Sequence, residues 1–267
     1  MKEIPFPDGV IPLEIFVGSV GKEITVDTVD GRPGVVDYGF NYTDRPVSLF
    51  LRIKAADKTD FRLLRNEVFA TFDVGSAFYV AESDVPSRVL KVVVYESYIP
   101  DRLTEEYADF DINCRTLDSV FWESKYTTLE LHDSGYSSTV EKYGLVDNID
   151  DEKVKYRFTE SNFSVYNAGN VTVEPESMLL NIIVNAVQSD NNFTIRNKTT
   201  GEEIILKRAS VGSHYRIQGM VISLGSITNI FRDTNRRFIS LAPGDNEFEI
   251  LNGTFEEIRF EFKFLYK

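Results

Sequence analysis

The stretch FISLAPGDNEFEI, residues 238–250, gathers groups that hold calcium or a sugar: Asp245 and Asn246 stand beside Pro243 and Gly244. Carboxylate and carboxamide oxygens are what a hard cation requires. The same four residues also make a good turn without a ligand, because proline fixes φ and glycine accepts φ > 0. Phe238 and Ser240 fall on one side of a pleat, Ile239 and Leu241 on the other, and Phe248 and Ile250 resume the alternation. The pattern predicts a plain hairpin, with a ligand loop as the alternative.

Other residues able to do chemistry are few and scattered. A metal site of Cys and His needs a cluster, and the chain offers Cys114, His132 and His214. Cys114 alternates with Ile112 and Phe110, which predicts a buried core thiol. His132-Asp133-Ser134 has the residue types of a catalytic triad, but consecutive residues cannot converge as a triad does. GSVGKE (18–23) lacks the first glycine of a phosphate loop, where Phe16 stands, and carries Glu23 where a hydroxyl holds magnesium. DNIDDEK (147–153) fails the EF-hand pattern at Ile149 and Glu152. The pairs Glu105/Glu106 and Asp109/Asp111 are the types used in glycoside hydrolysis, yet such pairs arise by chance among 42 acids. Trp122, in SVFWES, fits a core or an interface. No catalytic, cofactor-binding or metal residue and no cofactor is predicted, and the chain is read as a non-enzyme.

What must position these residues is a β scaffold. With 267 residues the chain is one large β domain or two ordinary ones. Twenty Phe and 13 Tyr, with short alternating runs between Gly and Pro clusters, mark an all-β protein. One cysteine permits no internal disulfide. MKEIPFPDGVIPLEIF lacks the apolar core of a signal peptide, and LLNIIVNAV (179–187) is too short to span a bilayer, so a soluble, cytoplasmically made chain is expected. The N-x-S/T sequons at Asn41, Asn162, Asn170, Asn192, Asn197 and Asn252 are read as a polar, turn-rich surface.

The net charge of −13 is uneven. Residues 1–133 hold 24 acids and 14 bases, residues 134–153 hold 5 and 2, and residues 154–267 balance at 13 and 13. An acidic first half is unsuited to gripping phosphate backbones; solubility is the alternative use of such charge.

Pattern divides the chain in the same way. KEITVDTV (22–29) and GVVDYGFNY (34–42) flank Asp30-Gly31-Arg32-Pro33-Gly34, a hairpin-like junction. VSLFLRIK (47–54) alternates on Val47, Leu49, Leu51 and Ile53. TDFRLLRNEVFATF (59–72) places Phe61, Leu64, Val68 and Phe72 at helical spacing, with Asp57 or Thr59 to cap and Gly75 to stop it. It is the only helix predicted. RVLKVVVYES (88–97), ADFDINCRT (108–116) and YTTLELH (126–132) read as strands. Residues 134–153 lose periodicity and read as a linker or exposed arm. Beyond them KYRF, MLLNIIVNAV, NNFTIRN, EEIILKR, HYRIQGMVISL, RFISL, NEFEI and EIRFEFKFLY read as strands, the last burying Ile258, Phe260, Phe262 and Phe264.

This order of motifs resembles the distal tail protein (Dit) family of long-tailed, siphovirus-type bacteriophages, over nearly the whole chain. The resemblance rests on Gly31, Arg32 and Gly34 in the first turn; on Asn167, Gly169, Asn170 and Pro175 in YNAGNVTVEPESMLLNIIV; and on Pro243, Gly244 and Asn246 near the end. It implies a mainly β fold: a β-barrel or sandwich-like domain with one helix over 1–133, the linker at 134–153, and a galectin-like, jelly-roll sandwich over 154–267. It further implies a structural hub at the distal end of the tail tube. Its partners would be five more copies in a hexameric ring, the major tail tube protein, a tip protein, and baseplate or receptor-binding proteins. DNA would pass through the channel unbound. The place would be the tail tip of the virion, with no membrane insertion. A saccharide-binding adhesin acting through the C-terminal sandwich is the second reading, and a tail-associated hydrolase the third.

Overall fold

The computed structural model describes residues 6–135, 149 and 153–267. Most of the stretch read as a linker, 136–148 and 150–152, lies outside the described residues. The chain divides into two compact units: residues up to Ser83 with Val89–Trp122, and Asp84–Arg88 with Glu123–Tyr266.

The first unit is built on β1 (Val10–Val17), β2 (Gly21–Thr28), β3 (Val35–Thr43), β4 (Pro46–Lys54), α1 (Lys58–Thr71), β5 (Ala77–Glu82), β6 (Val85–Val94), β7 (Asp101–Arg102) and β8 (Tyr107–Thr116). Its sheet runs β1-β4-β8-β6, antiparallel, and β1 pairs only with β4 among the described residues. Among the described residues the sheet does not close into a barrel; it is a single open sheet with one helix against it. One face of the sheet is apolar because β4 sends Val47, Leu49, Leu51 and Ile53 to it and β8 sends Ala108, Phe110, Ile112 and Cys114.

Helix α1 supplies the cover. Asp57 caps it by accepting from the backbone N–H groups of Thr59 and Asp60 at 2.7 and 2.8 Å. Phe61, Leu64 and Val68 are buried on its inner stripe, and Phe72 is buried at its C-cap. The Tyr98 hydroxyl closes the end by donating to the Phe72 carbonyl at 2.9 Å, and it lies 3.2 Å from the Val68 carbonyl, which also accepts from Phe72 N–H. Leu64→Ala is expected to lower stability by about 2–5 kcal/mol. Urea unfolding checks this, and a parent-like midpoint would mean the Leu64 stripe is not core.

The second unit continues with β9 (Trp122–Ser124), α2 (Thr128–Ser134), β10 (Arg157–Phe158), β11 (Asn162–Asn167), β12 (Leu180–Ser189), β13 (Phe193–Asn197), β14 (Glu202–Leu206), β15 (Ser210–Gln218), β16 (Val221–Leu224), β17 (Ile227–Thr228), β18 (Gly244–Leu251), β19 (Glu257–Phe262) and β20 (Leu265–Tyr266). Sheet β10-β19-β12-β15-β16-β17 faces sheet β11-β18-β13-β14. Aromatic rings join the two: Phe163 and Phe248 of one sheet lie 5.8 and 4.8 Å from Phe260 of the other. Such contacts across two inner faces make a sandwich core.

Two expectations fail here. YTTLELH turns into a helix from Thr128 rather than a strand, so the described residues hold two α-helices rather than one. Its alternation is overridden by a capping box: Glu130 N–H donates to the Thr127 hydroxyl, and Thr127 N–H donates to the Glu130 carboxylate at 2.8 Å. Thr128 then anchors the helix by donating to the Phe260 carbonyl at 2.8 Å. RFISL is not a strand either; of it only Leu241 bridges, to Val173.

Candidate functional site

The scattered chemical candidates stay apart. Cys114 is buried, and burial pushes its thiol up to about 12, so little thiolate exists at neutral pH. His132 Nδ1 lies 3.1 Å from the Val154 carbonyl, Asp133 takes Arg157 at 3.1 Å, and Ser134 Oγ donates to Leu131 at 3.0 Å. Three side chains with three separate partners make no triad. Asp109 is gripped by both Nε and Nη2 of Arg52 at 2.6 and 2.7 Å, which holds its carboxyl below the ordinary carboxylate value. Glu105 pairs with Lys58 at 2.7 Å. Trp122 is buried.

FISLAPGDNEFEI is not a hairpin. Strand β18 begins at Gly244 and pairs with β11 and β13, while residues 238–243 form no ladder with it. The reason is Asn246, which is fully buried. Its Oδ1 accepts from Ala242 N–H at 2.9 Å, and its Nδ2 donates to the Ala242 and Gly244 carbonyls at 2.8 and 3.1 Å. One carboxamide thus does for the corner what a facing strand would do.

Two more buried asparagines hold the same segment. Asn197 Nδ2 donates to the Ser240 carbonyl at 2.9 Å and to Asn246 Oδ1 at 3.1 Å. Asn167 Nδ2 donates to the Leu241 carbonyl at 3.2 Å, and its Oδ1 accepts from Gly169 N–H at 3.0 Å. The Glu202 carboxylate takes both the N–H and the hydroxyl of Ser240 at 2.7 Å. Gly169 is needed because a Cβ there would stand 2.4 Å from the Leu265 carbonyl oxygen. Asn170 N–H donates to that carbonyl, and the Pro175 carbonyl lies beside Gly219.

The structure therefore brings Asn167, Gly169, Gly244 and Asn246 together as internal supports of one loop. Sequence reading missed Asn197 and Glu202, and Asn197 is buried rather than part of a polar surface. The available signal was its place: Phe193, Ile195 and Asn197 share the inward side of β13. Asp245, by contrast, is exposed. Gly244 has φ +86° with open space around it, so Gly244→Val is expected to destabilise the second unit through backbone strain. Asp245→Ala should be nearly neutral. Paired thermal melts, with and without calcium, decide; a calcium-dependent rise that vanishes in Asp245→Ala would restore the ligand loop.

The remaining candidate surface lies in the first unit. Strands β2 and β3 pair with each other and, among the described residues, with nothing else. Gly31, Arg32 and Gly34 form the far turn, where Gly31 and Gly34 have positive φ and Arg32 N–H donates to Val29. Register places Lys22, Ile24, Val26, Thr28, Val35, Asp37, Phe40 and Tyr42 on one side, and Glu23, Thr25, Asp27, Val36 and Asn41 on the other. The apolar members of the first side are 40–61% exposed. A lone hairpin is marginal in water, and an uncovered apolar ribbon of this length marks an interaction surface.

The ribbon is held firmly at its base. Gly18 N–H donates to the Pro46 carbonyl across its two feet at 2.9 Å. The buried Arg45 donates from Nε to Gly18 at 2.5 Å and from Nη1 to Val120 at 3.4 Å, while its own N–H reaches Thr116 Oγ1. Burial lowers the pKa of this guanidinium, and Glu82 opposes that shift. Tyr42 meets Phe121 edge-on at 5.0 Å. Arg45 is thus a positioning residue that joins the feet of the arm to each other and to the 116–120 segment.

Comparison with known proteins places these features. Residues 9–114 match the phage tail protein RIFT-related domain. The crystal structure of the SPP1 Dit protein (gp 19.1), described as a paradigm of the hub adsorption apparatus in phages infecting Gram-positive bacteria, superposes with a TM-score of 0.65 at 14% identity. The match covers 97% of this chain and 95% of that one. Chains in two structures of the phage p2 baseplate in its activated conformation, with strontium and with calcium, give TM-scores of 0.40 at 9 and 10% identity, covering 96% of this chain and 90% of theirs. No curated protein sequence matches the chain. Residues 9–114, spanning the first sheet, the hairpin arm and α1, thus match a phage tail RIFT-related domain, and along nearly all its length the chain has the fold of the SPP1 Dit protein.

Proposed function

We propose that this phage tail protein is a hub at the distal end of the tail tube, forming a hexameric ring through residues 1–133 and joining the tube to the baseplate and receptor-binding parts. The domain at 154–267, a galectin-like sandwich, is the attachment for those parts, with 134–153 as the link. The observation that carries this reading is the arm of β2 and β3. An ordered apolar face left largely exposed among the described residues is a face suited to being covered by another chain. The role asks for scaffold rather than chemistry, and His132, Asp133, Ser134, Glu105 and Asp109 each have a structural partner. Negative-stain images of the purified protein should show rings with an open centre; a field of single particles without rings would contradict the hub.

The acidic charge of the first domain fits a channel that DNA traverses. Acids such as Glu23 and Asp27, on the polar side of the arm, would repel duplex DNA at short range and leave it centred, since charge is screened beyond roughly 8–10 Å at physiological salt. The protein is therefore expected to cause no retardation of duplex DNA even at low salt. Retardation that weakens steeply with added salt would signal a phosphate-gripping surface and overturn this part.

A second reading, a saccharide-binding adhesin, draws on an open groove of about 500 Å³ in the second unit, where Lys153 lies 4.7 Å from the Tyr166 ring beside Asn162 and Asp245. A glycan array with the intact protein separates it from the hub alone: specific binding that Tyr166→Ala abolishes would add the adhesin role.

A further inference from the structure

Ring closure needs two different patches on each copy, because a head-to-tail contact joins one surface to another and repeats. The arm supplies one patch. The first unit carries a second: Ile11, Leu13 and Phe16 of β1 are 42, 47 and 53% exposed. Phe16 stands edge-on to Phe50 at 5.3 Å, on the side of the sheet opposite α1, so the two rings form one apolar strip with Ile11 beside it. The register between β1 and β4 slips at Leu13, which leaves that side chain outside the regular pleat. Strand β1 also ends the sheet, so its outer edge keeps unpaired backbone groups among the described residues.

Charge complements shape. The arm's apolar side carries Lys22 near its base, whose Nζ lies 3.9 Å from the centre of the Phe40 ring, and Asp37 opposite Val26 farther out. The sheet's outer side carries two carboxylates near its apolar strip, Glu14 next to Phe16 on β1 and Asp111 opposite Phe50 on β8, while Arg52, opposite Ile11, is taken by Asp109. The fixed base of the arm, held by Arg45, means that little freedom is lost when it docks. From these observations, and resting on the self-association argued above, we propose that the apolar side of the β2–β3 arm of one copy seats on the Ile11–Phe16–Phe50 strip of the next copy, with Lys22 facing Glu14 and Asp111.

Cysteine pairing tests the contact, using the full-length chain, whose native Cys114 is buried. Phe40→Cys and Phe16→Cys are made singly and together, after circular dichroism shows parent-like folding; Ile24→Cys with Ile11→Cys is the substitute pair. Mild oxidation of the double variant should give a non-reducing ladder that reaches the ring, at least tenfold above either single variant. Rings without the ladder would show that the arm covers something else, and would overturn this inference while leaving the hub intact. Strong self-linking of Phe40→Cys alone would indicate an arm-to-arm contact and overturn it equally. Parent protein that stays monomeric in the same experiment would overturn the hub and this inference together.

Discussion

Asn246→Leu should make the second unit unfold far below the parent midpoint. Leucine keeps asparagine's branching and number of side-chain heavy atoms, so what the substitution removes is hydrogen bonds rather than atoms. The Ala242 N–H and the Asn197 carboxamide lose an acceptor, and the Ala242 and Gly244 carbonyls lose a donor. A buried polar group left unpaired costs ~1–3 kcal/mol, so the two donors alone imply a loss of about 2–6 kcal/mol. Nothing nearby replaces them, because Asn197 and Asn167 are already committed to Ser240 and Leu241. Calorimetry should show the transition of the second unit displaced downward, while Asp245→Ala, one residue away and exposed, leaves it in place. A parent-like melt for Asn246→Leu would mean that the loop is held by its apolar contacts and not by carboxamides.

Replacing both Ile24 and Phe40 by serine should abolish ring formation without unfolding the chain. Both side chains are about half exposed or more in the single copy, so their removal takes little from its own core. In an assembly each would bury an apolar surface worth ~1.5–3 kcal/mol. Losing both from every contact amounts to about 3–6 kcal/mol, a weakening of more than a hundredfold. Arg45→Met should act on the same property from a distance. It removes the bonds to Gly18 and Val120, so amide exchange should quicken across 22–42 while β4 and β8 stay protected. If exchange quickens in β4 and β8 as well, Arg45 supports the core rather than the arm.

Much of the scaffold was legible in the sequence where burial and periodicity agree. β4 and β19 alternate, and their apolar sides are the buried ones; α1 has its stripe, its Asp57 cap and its apolar C-cap. Alternation misled at YTTLELH, where Thr127 and Glu130 cap a helix whose residues also happen to alternate. It misled again at RFISL, whose backbone is held by side chains of β11, β13 and β14. The motif residues near 167–170 and 243–246 were legible as positions, yet their joint purpose was not, because a carboxamide at an inward site looks like any polar residue until its partners are known. Asn197 read as surface for that reason.

The arm shows a different limit. Its alternation is that of a strand packed on a core, and periodicity reports which side chains share a face, never what covers that face. Ile24, Val26, Val35 and Phe40 were readable as a strand pair flanking Gly31-Arg32-Pro33-Gly34. Only the three-dimensional arrangement shows their apolar side exposed among the described residues. β1 escaped notice altogether, since Pro12 and Glu14 interrupt its apolar run.

Assembly is measured most directly by sedimentation equilibrium of the intact protein beside the Ile24→Ser, Phe40→Ser double variant. A hub that closes through its arms predicts a parent species of six times the 30.5 kDa chain mass, and a variant that sediments as a folded monomer. A parent that remains at 30.5 kDa across the concentration range, or a variant that assembles as well as the parent, would contradict it.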